Sequence, residues 1–185
     1  MTQTQTSAST IGNYAPDFEL PGIDGEVYHL ASSLELLQGL GVAFISHECP
    51  YVQLYLDRLK QIQGEFGDRG FSLMAINAND SDRVPSDNFE QMKIFAQEQT
   101  LNFPYLRDPS QDVALGFKVE GTPEVFLVDK SGIICYRGAI DDCPESPQTV
   151  TKHYLRNAIA ALLENKPISP AKTALVGSPL KWREA

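Results

Sequence analysis

Apolar and polar positions alternate in blocks along the 185-residue chain, and the period of each block indicates an element. Phe18-Glu19-Leu20 and Val27-Tyr28-His29-Leu30 alternate on either side of Ile23-Asp24-Gly25. Asp-Gly there suits the positive φ angles of a tight turn, which predicts an N-terminal β-hairpin. Leu34, Leu36 and Leu37 suggest a short helical turn stopped by Gly39 and Gly41, and Val42-Ala43-Phe44-Ile45 reads as a strand buried on both faces. Val52, Tyr55, Leu56, Leu59, Ile62 and Phe66 recur at three- and four-residue spacing, which places them on one face of a helix from near Pro50 to Gly67.

A second strand–helix pair follows: Phe71 to Asn77, a polar loop through Asp80, Asp82 and Pro85, then a helix carrying Phe89, Met92, Ile94, Phe95 and Ala96. Leu101 to Leu106 is expected to be extended and Ser110 to Phe117 helical. Gly121-Thr122-Pro123 introduces the apolar run Val125 to Val128, and a turn at Asp129-Lys130-Ser131-Gly132 returns Ile133 to Gly138 antiparallel. Val150, Tyr154, Leu155, Ala158, Ile159 and Leu162 form the stripe of a last helix. The order predicts an α/β fold, a three-layer sandwich around a central mixed sheet with an N-terminal hairpin extension. Residues 1–12 read as a flexible polar arm, 13–166 as the domain, and 167–185 as a tail packing on it.

Composition narrows the function classes. Fifteen basic against 24 acidic residues give a net charge of −9, which argues against a nucleic-acid surface. No stretch approaches the roughly 18 consecutive apolar residues of a membrane span. The first twelve residues lack the basic and apolar regions of a secretory signal, so a cytoplasmic location is expected. Three cysteines, Cys49, Cys135 and Cys143, are too few and too irregularly spaced for a disulfide scaffold or zinc site. They suit reactive thiols in a reducing compartment, and no metal or organic cofactor is expected.

One junction carries chemistry. Cys49 follows a buried strand and opens the long helix, where unpaired backbone N–H groups and the helix dipole favour a thiolate. Ser46, three residues earlier, is the expected N-cap, with its hydroxyl close to the thiol. His47 would add positive charge, which Glu48 opposes. Pro50 is tolerated in the first turn, where its missing N–H would have no partner.

This strand–x-x-Cys–helix junction, with the distant Thr122-Pro123 before a strand, resembles the thioredoxin-like fold of thiol oxidoreductases and peroxiredoxins. Ala15-Pro16-Asp17-Phe18-Glu19-Leu20 resembles the opening motif of the redoxin (AhpC/TSA-type) branch. Cys49-Pro50-Tyr51-Val52, Tyr105-Leu106-Arg107-Asp108 and Tyr136-Arg137-Gly138 resemble a bacterial redoxin subgroup whose helix start reads Cys-Asn-His-Cys-Pro-Tyr-Val and whose tail reads Gly-Cys-x-(Ile/Leu)-Lys-Trp. Here Ser46 stands at the first cysteine, and Ser178 and Gly121 stand where further cysteines often occur. The resemblance implies that Pro123 is a cis-proline with Thr122 beside it. The arginine that supports the thiolate in peroxiredoxins has no counterpart near Pro123.

The expected function is thiol-dependent reduction of a peroxide or protein disulfide through Cys49, with thioredoxin or another small thiol as reductant, in a monomer or homodimer. Tracing the returning strand Ile133 to Ile140 brings Cys143 to the same sheet rim as Cys49, so Cys143 is the candidate resolving thiol, while Cys135 starts that strand at the far end. The alternative is a redox-inactive interaction module, with Trp182 and the tail packed on the domain or on a partner.

Overall fold

A computed structural model describes residues 11–185. Most of the arm expected at residues 1–12 lies outside them. Gly12, assigned to that arm, is held on the domain: its N–H donates to the Ile134 carbonyl at 2.8 Å. The hairpin forms from β1 (Glu19–Pro21) and β2 (Val27–His29) around Gly25, which has φ 88°. Helix α1 (Leu30–Leu34) starts earlier than the leucine spacing indicates, because Leu30 and Leu34, one turn apart, both face the core while Leu36 is exposed.

The central sheet has five strands in the order β5-β4-β3-β7-β8. Strand β3 (Gly39–Phe44) lies in its middle, parallel to β4 (Phe71–Asn77) and antiparallel to β7 (Glu124–Asp129). Strand β5 (Tyr105–Arg107) extends the parallel side and β8 (Ile134–Gly138) the antiparallel side. The unbroken apolar runs have a direct cause, since both faces of β3 are covered. Ala43, Val125 and Leu127 face α2 (Pro50–Phe66) and α5 (Tyr154–Leu163), whereas Val42, Phe44 and Phe126 face the cluster that holds Phe18, Leu34 and Phe117. Phe117 belongs to α4 (Asp112–Phe117), and its ring meets Phe44 and Phe126 at 5.4 and 5.0 Å. Each such fully buried side chain contributes roughly 1.5–3 kcal/mol.

Helix α3 (Phe89–Glu98) starts from a proper cap, with the Asn88 side chain accepting from the Gln91 N–H. Helix α5 begins four residues after Val150, which the apolar stripe includes. The Asp142 carboxylate captures the N–H groups of Thr151 and Lys152, at 3.0 and 3.1 Å, and holds that stretch out of the helix. The Thr151 side chain, then the Lys152 N–H, hold the Asp142 pKa down at about 2.

After α5 the tail runs along the outer edge of β8, where Arg137 N–H donates to Ala171 O and Thr173 N–H to Arg137 O. It then forms β9 (Ser178–Pro179), antiparallel to the two-residue strand β6 (Gly121–Thr122). Leu180 is buried in the core and Trp182 packs against it.

Candidate functional site

Strand β3 delivers the chain to the sheet rim, where Ser46, His47 and Glu48 turn it into α2. Cys49, not Ser46, is the N-cap of that helix: its backbone is extended (φ −76°, ψ 121°), Pro50 is the first helical residue, and no side chain caps the end. The Ser46 hydroxyl is occupied elsewhere. It donates to Asp87 Oδ2 at 2.7 Å and accepts from the Glu48 N–H at 3.2 Å. A buried carboxylate is a charge-assisted acceptor, stronger than anything a cap position offers the hydroxyl proton.

Cys49 is only 5% exposed. Its thiol donates to the Thr122 carbonyl at 3.2 Å. Burial is the largest single influence on its pKa and acts upward. Against it stand side-chain hydrogen bonds from Thr122 and Ser178 and the backbone N–H groups of Val52 and Tyr51, which together hold the pKa below the ordinary thiol value. The two backbone donors are those that a helix start leaves unpaired, so the α2 dipole acts in the same sense. The environment suits a thiolate.

Behind Ser46 lies a polar cluster that the motif around Cys49 does not include. Asp87, fully buried in the 3₁₀ turn Pro85–Asp87, accepts from Ser46, from Asn77 Nδ2 at 2.8 Å and from Asn79 Nδ2 at 2.9 Å. His47 Nδ1 lies 3.2 Å from Asp87 Oδ1, and Nε2–H donates to the Ser86 carbonyl at 2.7 Å. The imidazole stacks on Phe95 with centroids 5.2 Å apart, so it faces α3 and the Asp87 turn rather than adding charge at the sulfur. Arg107 completes the cluster, donating to Asn77 Oδ1 at 3.2 Å and Asn79 O at 2.7 Å. Burial pushes the Tyr105 phenol far above its usual range, so it stays protonated here. One signal is available in the sequence: the three parallel strands each run out into polar residues, Ser46-His47, Asn77 and Arg107, at one rim.

The structure brings Cys49, Ser46, Thr122 and Pro123 to one place. The Thr122–Pro123 peptide bond is cis. A shallow cleft beside the sulfur is lined by Ser46, Cys49, Asn79, Val84, Thr122 and Ser178. Cys143 is not part of it. Strand β8 does return to the same rim, since Gly138 pairs with Val125 at the end of the sheet where β3 finishes. The following loop then folds over the side of α2, where Arg58 donates to the carboxylate of Asp141 and to the carbonyls of Cys143 and Pro144. Arg58 is nine residues along α2 from Cys49, roughly 13 Å of helical rise. The Cys143 sulfur meets Thr149 Oγ1 at 3.1 Å. Cys135 lies in β8, where burial, then Asp129, push its pKa up to about 12.

The residue that the fold does bring to Cys49 is Ser178. At Gly121, by contrast, no side chain fits: an added Cβ would run into the Ser178 carbonyl and Leu175. Among the described residues no group of three or more His, Cys, Asp or Glu is placed to hold a metal ion.

Comparison with known proteins bears on the family and the fold. The thiol-disulfide oxidoreductase ResA of Geobacillus thermodenitrificans is 26% identical over 129 residues, 70% of this chain and 69% of that protein. A hypothetical protein from Sinorhizobium meliloti is 34% identical, with a TM-score of 0.88 over 95% of this chain and 96% of that one. An uncharacterized conserved protein from Geobacillus kaustophilus is 32% identical, with a TM-score of 0.89 over 97% and 95%. A putative thiol:disulfide interchange protein DsbE from Chlorobium tepidum shares the thioredoxin-like fold at 21% identity, with a TM-score of 0.65 over 86% of this chain and 98% of that one. The model of the AhpC/TSA family matches residues 11–137, which reach from the N-terminal hairpin through Cys49 and Pro123 into β8, and the chain belongs to that family.

Proposed function

We propose that the protein is a thiol-based oxidoreductase whose Cys49 thiolate attacks a disulfide or a peroxide. The observation that carries this reading is the place of Cys49, at the start of α2 where backbone N–H groups lack partners and against the cis Thr122–Pro123 corner, where its pKa is held below the ordinary thiol value. With a disulfide, Cys49 Sγ bonds to one sulfur and the other leaves as a thiolate that takes up a proton. With a peroxide, Sγ bonds to the terminal oxygen, the O–O bond breaks, the other oxygen leaves as alkoxide or hydroxide and takes up a proton, and the sulfur becomes sulfenic acid. From the sulfenic acid, an external thiol expels water and forms a mixed disulfide; from either mixed disulfide, a further thiol, that of a small thiol or of thioredoxin, attacks the outer sulfur, releases the Cys49 thiolate and leaves as the disulfide. External regeneration fits the fold, because the Cys143 loop is docked on Arg58 and Cys135 sits in β8.

Ser46 is a positioning residue in this scheme. Its hydroxyl is committed to Asp87 and Glu48 N–H, so it shapes the turn that presents Cys49. The test is mass spectrometry after stoichiometric hydrogen peroxide with a sulfenic-acid trap, on the wild type, Cys49→Ser and Cys143→Ser. Trapped adduct confined to Cys49, unchanged in Cys143→Ser, is expected. Slow and equal oxidation of all three cysteines would refute the proposal and leave an interaction module.

A further inference from the structure

The segment Gly177 to Arg183 crosses the rim beside the sulfur and is tied down along its length. Ser178 and Pro179 pair with Thr122 and Gly121. Leu180 N–H donates to Glu120 O, and Lys181 N–H to Asn79 Oδ1 at 2.9 Å. The Lys181 carbonyl accepts from Asp80 N–H and Gln111 Nε2, and the Trp182 carbonyl from Arg83. Asn79 thereby links this strap to Asp87, which holds Ser46.

The closeness of the strap depends on two glycines that face each other's strand. A Cβ on Gly177 would strike the Thr122 carbonyl, just as one on Gly121 would strike that of Ser178. The Thr122 carbonyl is the group that the Cys49 thiol touches. Any extended polypeptide approaching the sulfur from this side would therefore need the main-chain groups of Gly121 and Thr122, the usual way in which a peptide adds to a short exposed strand. Those groups are already taken by the strap, and its Ser178 lines the same cleft as Cys49, where a side chain of such a peptide would sit.

We propose that the strap is a selectivity element: it occupies the edge that a protein disulfide would dock on, and it restricts Cys49 to small disulfides and hydroperoxides. The inference rests on the reading of Cys49 as the attacking thiolate and adds the substrate class. The step is ordinary exchange. Cys49 S⁻ attacks one sulfur of R–S–S–R, a Cys49–S–S–R mixed disulfide forms, and R–S⁻ leaves and is protonated by solvent. No further oxidant or reductant enters it. The cleft beside the sulfur is lined by Val84 and Pro50 as well as by the strap, and a small molecule bound in it needs none of the main-chain groups that the strap occupies.

The test uses full-length protein with Cys135→Ser and Cys143→Ser, so that Cys49 is the sole thiol. Rates are measured with hydroxyethyl disulfide and with insulin, and the insulin-to-small-disulfide ratio is normalised to that of free glutathione. The ratio for this protein should be lower by roughly a hundredfold, a difference built by exclusion rather than affinity. Gly177→Val, which drives the strap off Thr122, should raise the ratio roughly tenfold or more. Circular dichroism reports whether that variant folds, and the first comparison needs no variant. A ratio equal to that of glutathione overturns the strap proposal while leaving Cys49 as the nucleophile. A folded Gly177→Val protein with an unchanged ratio overturns it as well. Failure to react with hydroxyethyl disulfide at all overturns the thiolate reading, and the substrate class falls with it.

Discussion

Ser178→Ala isolates one donor on the Cys49 sulfur, because alanine keeps the backbone pairing of β9 with β6 and removes only the hydroxyl. A hydrogen bond to a charged group contributes about 1.5–3 kcal/mol. At 1.36 kcal/mol per unit, its loss raises the Cys49 pKa by about one to two units. Take the lower figure, since Thr122 and the N–H groups of Tyr51 and Val52 remain. Well below the pKa, the thiolate fraction falls about tenfold, while a Brønsted slope of about 0.4–0.5 makes the remaining thiolate about threefold more nucleophilic, so exchange slows about three- to fourfold. Above both pKa values the variant is about threefold faster. The pH–rate curves of wild type and variant must therefore cross. Stopped-flow exchange with hydroxyethyl disulfide, in the Cys135→Ser and Cys143→Ser background, reads this directly. Two curves separated by one constant factor at every pH would refute the argument, since they would mean that Ser178 acts through shape and not through the charge on sulfur.

Three further outcomes follow from the same geometry. Ser178→Cys should give a disulfide between Cys49 and the introduced thiol on mild oxidation, seen as a peptide cross-link and two fewer titratable thiols, whereas wild type under the same conditions should give no Cys49–Cys143 link; the reverse pattern would contradict the placement of the tail and of the Arg58-anchored loop. Asp87→Ala takes one buried acceptor away from three side-chain donors, Ser46, Asn77 and Asn79, and should cost about 3 kcal/mol in urea unfolding, at about 1 kcal/mol for each hydrogen bond; a loss below about 1 kcal/mol would show that the cluster is not a stabilising unit. The lowered Cys49 pKa makes the native state release its proton before the unfolded chain does, so Cys49 contributes stability that is full above the unfolded value of 9.0 and is lost as pH falls through the folded one. The stability gap between wild type and Cys49→Ala should accordingly shift in favour of wild type between neutral pH and pH 9.0, and a shift of opposite sign would mean that burial wins over the donors.

Periodicity makes the frame readable. The stretch from α2 through β4 to α3 follows from the period of its runs, and the mixed sheet follows from strand–helix alternation closed by a hairpin; β3 begins at Gly39, three residues before the apolar run that marks it, because both glycines read as helix stops lie in the strand itself. What stays hidden depends on partners distant in sequence. Ser46 looks like a cap because caps are local, but its actual partner is Asp87, 41 residues on. The start of α5 departs from the apolar stripe because the side chain of Asp142 competes for backbone donors that such a stripe does not reveal. Strand tracing takes Cys143 to the right rim, yet its loop is drawn away by Arg58, a helix residue that the pattern alone would leave facing solvent. Strand β9 has two residues and no alternation to detect; its only mark is Gly177, whose missing side chain matters because of Thr122.

The position of β3 has a consequence for how the molecule assembles. One side of it, β4 and β5 with their helices, is made of neighbours in sequence, and β7 with β8 forms a second local unit; within the sheet the two join along the β3–β7 ladder, from Gly39 opposite Asp129 to Phe44 opposite Glu124. That seam closes a loop of some eighty residues, the slow kind of event in folding. Cys49 belongs to the first unit, Thr122 to the second, and Ser178 to the segment that lies across both. The acidity of one sulfur is thus a reporter of the whole topology: partial openings that part the units or lift the last segment return Cys49 to the chemistry of an ordinary thiol, and its labelling rate at mildly acid pH falls with the share of time the protein spends in them.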